Sequence, residues 1–197
     1  MDIIQNSVKY QDILKTAHDL FWKFGVKRVT IEEICREAGA SKMTFYRFFP
    51  NKIELAKKVI EAMFDDAINK FNSVMAEDVP FHEKAKKQIL LKFEGTKELS
   101  RELIKDIYGG QIPELKKFWE QKSDEVLQVV LDTYRDAQKK GWIRQDIKVE
   151  FIQHFSNKLN EIVSDEKAVA LYGSVQDLIM EIINMFFYGI LPHDENR

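Results

Sequence analysis

The sequence contains few of the residues that cross-link a chain or interrupt helices. Its 197 residues include one cysteine, four prolines and eight glycines. The single cysteine, Cys35, permits neither an intrachain disulfide nor a cysteine-rich metal site. No stretch reaches the roughly 18 consecutive apolar residues that a membrane-spanning helix needs. We therefore expect a cytoplasmic protein from a reducing compartment, with no membrane partner.

Charge is nearly balanced over the chain but is unevenly distributed along it. The 30 Lys and Arg residues against 32 Asp and Glu residues give a net charge of −2. Residues 1–58 carry 11 basic and 7 acidic side chains, whereas residues 59–197 carry 19 basic and 25 acidic ones. The total predicts neither nucleic-acid nor membrane binding, but its distribution indicates a basic head on an acidic body.

Apolar residues recur at helical spacing through most of the chain, and all four prolines fall between these periodic segments. No alternating pattern flanked by hairpin turns indicates a strand. The sequence therefore predicts an all-α fold of about nine helices. We expect helices over residues 8–24, 31–38, 42–48, from 52 past 71, and near 81–94, 97–108, 113–140, 147–163 and 168–191.

The segment 30–52 predicts a helix-turn-helix. Thr30 and Glu33 have the spacing of a capping box, Gly39 lies in the turn, and Ser41 is a suitable N-cap for the next short helix. At about 100° per residue, that helix has a polar face and an opposite apolar face. The polar face carries Lys42, Met43, Tyr46 and Arg47, and the apolar face carries Phe45 and Phe48. Such a face suits the major groove of DNA.

Residues 30–52, with the sequence TIEEICREAGASKMTFYRFFPNK, closely resemble the DNA-binding signature of the tetracycline-repressor (TetR) family. The match is strong over about 8–58, and the rest is similar only in length, helix count and the turn at 141–146. The resemblance implies a homodimeric regulator, usually a repressor, that a small molecule releases from a palindromic operator in double-stranded DNA. It also implies a DNA-binding domain over residues 1–50 and a ligand-binding and dimerisation domain over 51–197, with no cofactor.

The resemblance assigns individual roles in DNA binding by position. Thr30, Tyr46 and Lys52 correspond to phosphate contacts, and the base-reading stretch begins at Lys42. Three residues depart from the usual family pattern: Met43 replaces a frequent glycine, Phe48 a tyrosine or histidine, and Cys35 an alanine. The predicted DNA-binding residues are Thr30, Lys42, Met43, Thr44, Tyr46, Arg47, Lys52, Lys27 and Arg28.

Two further surfaces are predicted in the body. The last helix is apolar at eleven of the fourteen positions from Leu178 to Leu191, so we expect it to be buried on all sides. One chain of this size cannot easily bury all of these sides, which indicates a subunit interface. The predicted interface residues are Phe151, Phe155, Leu159, Leu178, Ile182, Met185 and Phe186. Candidates for lining an apolar ligand pocket, any of which could equally be core, are Phe64, Phe71, Phe93, Ile107, Tyr108, Phe118, Trp119 and Tyr134.

No pattern in the sequence favours an enzyme. The four histidines are scattered, without a metal-ligand spacing, and no nucleophile elbow or phosphate-binding loop is present. We therefore expect no catalytic residues and no metal site. Two alternatives stay open: a helical enzyme or small-molecule binding module without DNA function, and a DNA-binding activator that needs no ligand.

Overall fold

The computed structural model describes residues 7–191, apart from the side chains of residues 156, 157, 159 and 160. This part of the chain forms ten α-helices and no β-strand, which confirms the all-α prediction. The helices are α1 (Val8–Phe24), α2 (Ile31–Glu37), α3 (Lys42–Phe48), α4 (Lys52–Ala76), α5 (Phe81–Gly95), α6 (Arg101–Ile107), α7 (Pro113–Lys139), α8 (Val149–Ser164), α9 (Glu166–Ala170) and α10 (Val175–Ile190). None of these helices is both long enough and apolar enough to cross a membrane.

The C-terminal helical segment differs from the prediction. One helix is expected near residues 168–191, but the structure has two, α9 and α10, separated by residues 171–174. Gly173 lies in this connection, and the Ser174 hydroxyl accepts a hydrogen bond from the backbone N–H of Asp177 at 3.0 Å. Ser174 also has the extended backbone of an N-cap residue, so a new helix begins after it. The prediction of one continuous helix is wrong here.

The first compact unit contains the described residues up to Phe64 together with Glu98–Gln121. Its core is filled from α1, α2 and α3, where Ile13, Phe21 and Phe45 are fully or almost fully buried. The rings of Tyr10 and Phe49 stack with their centroids 5.0 Å apart. Each such buried phenylalanine stabilises the fold by about 1.5–3 kcal/mol relative to an exposed one. These contacts fix α3 against α1.

Helix α6 packs against the end of α1 within the same unit. The backbone N–H of Ser100 donates to the carbonyl of Trp22 at 3.0 Å. The backbone N–H of Lys27 donates to Asp106 Oδ2 at 2.8 Å. Gly25 has φ +79°, and a Cβ at this position would lie 2.7 Å from Asp106 Oδ2. Glycine is therefore required here both by the backbone conformation and by the close approach of α6.

The second compact unit contains Asp65–Lys97 and the described residues from Lys122 onward. Its core is built from apolar residues of α4, α5, α7, α8 and α10, among them Phe71, Phe81, Leu131 and Phe187. Helices α4 and α7 each contribute residues to both units. The predicted domain boundary between residues 50 and 51 does not coincide with the division into compact units. As a boundary between a DNA-binding domain and a ligand-binding and dimerisation domain, it stays a prediction.

Candidate nucleic-acid interface

Three side chains define the starts of α2, α3 and α4. The side-chain oxygens of Thr30, Ser41 and Asn51 each accept a hydrogen bond from the backbone N–H three residues further on, at 3.1, 3.0 and 2.9 Å respectively. The predicted helix starts are therefore confirmed. Since a cap satisfies only some of the first-turn amides, each of these termini keeps N–H groups that suit a phosphate oxygen.

Helix α3 has one buried face and one exposed face. Phe45 is fully buried, whereas Met43 is 83% and Tyr46 is 54% exposed. Lys42 and Arg47 are exposed on the same helix. The exposed face therefore offers two cations, a phenol hydroxyl and a flexible thioether side chain to an external partner, as the spacing predicts.

Lys42 has an acidic neighbour that the sequence does not reveal. Its ammonium donates a hydrogen bond to the carboxylate of Glu32, in the first turn of α2, and both side chains are exposed. The hydrogen bond raises the pKa of Lys42 and lowers the pKa of Glu32. Lys42 therefore remains charged, but its charge is partly neutralised until another anion replaces the carboxylate.

Lys52 is part of the framework of the helix-turn-helix. Its ammonium donates to the carbonyl oxygens of Val29 at 2.6 Å and Lys27 at 3.2 Å. Burial lowers the pKa of Lys52, and the charge of Asp106 opposes this effect. Because an ammonium has three donors, one donor is left for the predicted phosphate contact. Lys27 is exposed, and its own ammonium donates to Gln111 Oε1 at 3.3 Å.

The two predicted arginines rest on aromatic rings. The Arg28 guanidinium lies 4.3 Å from the centre of the Phe24 ring, and that of Arg47 lies 4.7 Å from the centre of the Phe48 ring. A guanidinium that lies over a ring face keeps the N–H donors at its edge available for hydrogen bonds. Both side chains are exposed, so these contacts orient the cations without removing them from solvent.

The remaining polar groups of the interface have local roles. The hydroxyls of Thr44 and Ser41 are hydrogen bonded to each other at 2.9 Å. Cys35 is buried, and burial raises the pKa of its thiol. A protonated, buried thiol packs as a small apolar group. No group of three His, Cys, Asp or Glu side chains within residues 7–191 is placed to hold a metal ion.

Comparisons with known proteins identify this helix-turn-helix. Residues 13–59 match the family model of bacterial regulatory proteins, tetR family. The chain is also 25% identical over 134 residues to the HTH-type transcriptional regulator YhgD of Bacillus subtilis, an alignment covering 67% of this chain and 70% of YhgD. Over residues 13–59 the chain therefore has the DNA-binding region of the TetR family, and its relative YhgD is a transcriptional regulator of the helix-turn-helix type.

The whole fold of the chain is similar to solved structures. The fatty acid degradation regulator FadR from Bacillus halodurans has a TM-score of 0.71 at 18% identity, over 92% of this chain and 95% of that one. The ketosteroid transcriptional regulator KstR2 of Mycobacterium tuberculosis has a TM-score of 0.58 at 16% identity, over 95% and 97%. At these identities the likeness shows the fold.

The predicted pocket residues fall into two groups, one in each compact unit. In the first unit the Trp119 ring lies 4.9 Å from that of Phe64 and 5.3 Å from that of Tyr108. The other members of this group, Ile107 and Phe118, belong to the same apolar cluster. In the second unit Phe71 and Tyr134 lie 6.4 Å apart, whereas Phe93 is exposed. Their role in ligand binding stays a prediction.

The predicted interface residues differ in accessibility. Phe151 and Met185 are 58% and 66% exposed, whereas Leu178 and Ile182 are already buried within the single chain. The partly exposed ring of Phe155 stacks on both Phe151, at 6.5 Å, and Phe186, at 6.0 Å. The side chain of Leu159 lies outside the described residues. A role for these residues in dimerisation stays a prediction.

The sequence interpretation misses two residues, one beside the predicted dimer interface and one beside the candidate nucleic-acid interface. Tyr188 on α10 is strongly exposed, like its neighbour Met185. Asp106 is buried on α6 and accepts the N–H of Lys27. A signal for Asp106 exists, since it lies three residues after the buried Leu103 and therefore on the apolar face of α6. The exposure of Tyr188 has no comparable signal, because the sequence around it is apolar throughout.

Proposed function

We propose that the protein is a homodimeric transcriptional repressor that binds a palindromic operator and is released by a small apolar molecule. The observation that carries this proposal is the exposed face of α3, where Lys42, Met43, Tyr46 and Arg47 stand free of the core. A helix of this kind, fixed by buried aromatics, places donors and an apolar group at the base edges of the major groove. Such a function requires the cytoplasm, where the DNA is.

The neighbouring helix starts support the positioning of α3 on DNA. The first turns of α2 and α4 keep free amides beside Thr30 and Lys52, and phosphate contacts of this type set register and orientation without reading bases. Lys27 and Arg28 add positive charge in the turn before α2. We assign the base contacts to Lys42, Met43 and Thr44, and the phosphate contacts to Thr30, Tyr46 and Lys52.

An apolar face on α8 and α10 supports the homodimer. Phe151, Met185 and Tyr188 are all more than half exposed in the single chain, and clustered exposed apolar side chains mark interaction surfaces. A twofold axis through such a face pairs the same surface on both subunits. Two copies of α3 would then reach successive major grooves about 34–36 Å apart.

The effector is proposed to be largely apolar. Aromatic residues dominate the predicted pocket positions in both compact units. Two proteins of similar fold, described as regulators of fatty acid degradation and as a ketosteroid regulator, are consistent with this class of effector. Binding must favour the conformation with lower operator affinity, because a ligand shifts an equilibrium only through differential affinity.

Footprinting on the DNA upstream of the protein's own gene tests this proposal. We expect protection of two half-sites related by a dyad, with centres one helical turn apart. The Met43→Ala variant should keep the footprint length but change the preferred bases within each half-site. Protection spread evenly along the DNA, or confined to one half-site at every protein concentration, would contradict the proposal.

A further inference from the structure

Lys84 is a buried cation on the inner face of α5. The residue is only 3% exposed. Its ammonium donates a hydrogen bond to the carbonyl of Met75 at 2.6 Å and lies 5.1 Å from the centre of the Trp142 ring. No carboxylate of the described residues forms an ion pair with it. A buried charge without a counter-ion is costly, so this ammonium is suited to a negative partner from outside the chain.

A second cation lies over the same indole ring. The ammonium of Lys140, the residue that follows α7, lies 4.6 Å from the centre of the Trp142 ring. It forms no ion pair with a carboxylate of the described residues, although its charge contributes to the lowered pKa of Asp136. The Trp142 indole N–H has no acceptor among those residues either. Two ammonium groups and one indole N–H are therefore gathered around a single aromatic side chain.

Two of the three residues that carry these donors, Lys140 and Trp142, border a groove of about 330 Å³ in the second compact unit. Trp142 and Lys140 line the groove, as does Met75, whose carbonyl holds Lys84. The rest of its wall includes the apolar side chains of Val129 and Ala137. A volume of this size lies at the lower end of the range for small-molecule sites.

The acidic residues of the groove are already neutralised. Asp132 is paired with Arg135 at 2.6 Å, and Asp136 with Lys139 at 2.8 Å. The hydrogen bond from Lys139 also holds the pKa of Asp136 below its ordinary value. Arg135 also pairs with Glu150 at 3.3 Å. Three carboxylates, Asp132, Asp136 and Glu150, therefore accompany four cations, Arg135, Lys139, Lys140 and Lys84, which leaves one excess positive charge. These carboxylates still disfavour a ligand with more than one negative charge.

We propose that this groove binds an organic monoanion, a carboxylate carried on an apolar chain or ring. The carboxylate accepts hydrogen bonds from Lys140 and the indole N–H of Trp142, and Lys84 supplies positive charge 5.1 Å from the centre of the indole ring. The apolar part of the ligand packs on Met75, Val129 and Ala137. Charge-assisted hydrogen bonds at a partly desolvated site give the carboxylate a strong preference over a neutral group. As a statement about the effector, this rests on the function proposed above.

Three probes with the same eight-carbon chain test the site: octanoate, octanol and octyltrimethylammonium. Binding to the full-length protein is followed by tryptophan fluorescence, and the Trp142→Phe variant identifies the signal of this groove among those of the three tryptophans. We expect saturable binding of octanoate at least tenfold tighter than binding of octanol, and no binding of the ammonium compound. Equal binding of octanoate and octanol, or no binding of octanoate, would overturn the proposal.

Lysine variants locate the anion. Lys140→Met and Lys84→Met should each weaken octanoate binding at least tenfold, with octanol binding unchanged. Lys86→Met is the matched control, because Lys86 lies on α5 beside an acid of its own, Glu83. Lys140 is exposed, so its variant remains informative if Lys84→Met fails to fold. Octanoate binding that leaves operator affinity unchanged would support the site and contradict its role as the effector site.

Discussion

The charge that α3 presents to DNA depends on a single neighbouring residue. Lys42 is paired with Glu32, so the carboxylate both holds the lysine and places a negative charge beside the proposed phosphate contacts. When Lys42 contacts DNA, this pair must open, and the carboxylate is left near the phosphate backbone. We therefore expect Glu32 to oppose DNA binding of every sequence, whatever bases α3 reads.

Replacing this acid tests its role directly. Glu32→Gln should tighten binding to random-sequence duplex DNA, because repulsion is removed and Lys42 is released. The slope of log affinity against log salt should become steeper by up to about 0.9, the value for one additional neutralised phosphate. Titrations at several salt concentrations measure both quantities. Glu83→Gln removes the same charge from α5 and should change neither, and an unchanged slope for Glu32→Gln would contradict this role.

Lys52 combines a structural role with the proposed DNA contact. Lys52→Met removes two hydrogen bonds, to Lys27 and Val29, and leaves their carbonyls without this partner. We expect the free energy of unfolding to fall by about 1–3 kcal/mol, measured by denaturant titration without DNA. Lys58→Met is the control, since the ion pair of Lys58 is with Glu61 on the same helix and its loss should cost under about 1 kcal/mol. Equal losses would show that Lys52 has no special structural role.

Among the helices, the contact of α6 with the end of α1 depends on Gly25. Gly25→Ala places a Cβ 2.7 Å from Asp106 Oδ2 at a positive φ. Gly110→Ala has a similar φ of +70°, but its nearest atom is a flexible lysine carbon at 3.6 Å. Gly25→Ala should therefore lower the unfolding temperature clearly more than Gly110→Ala. If the two variants have the same unfolding temperature, the positive φ alone, and not the close approach of Asp106, accounts for the requirement for glycine at position 25.

The helices of the N-terminal region follow from local sequence signals. Caps such as Thr30 and Ser41 act on amides three residues away, and the buried face of α3 follows from helical periodicity. The break before α10 is missed because the strong apolar pattern on either side of Gly173 hides the Ser174 cap. Lys84 and Asp106 are missed because their roles depend on partners from other parts of the chain, Met75 and Trp142 in one case and Lys27 in the other.

For the whole molecule, the proposed function depends on the association of two chains. Met185→Glu places a charge on the exposed face of α10, where an isolated chain would tolerate it but a dimer interface would not. We expect a folded monomer in sedimentation experiments and loss of operator binding. Leu90→Glu alters an equally accessible apolar residue on α5 and should leave the dimer intact. A Met185→Glu protein that sediments as the unaltered dimer would exclude this face as the interface.

The central claim is that α3 reads a DNA sequence. The most direct test is the ratio of two affinities at the same moderate salt concentration, one for the duplex upstream of the protein's own gene and one for a shuffled duplex of equal length and composition. We expect a preference of at least about 10³ for the natural sequence, the lower end for specific DNA-binding proteins. Equal affinities for the two duplexes would contradict it.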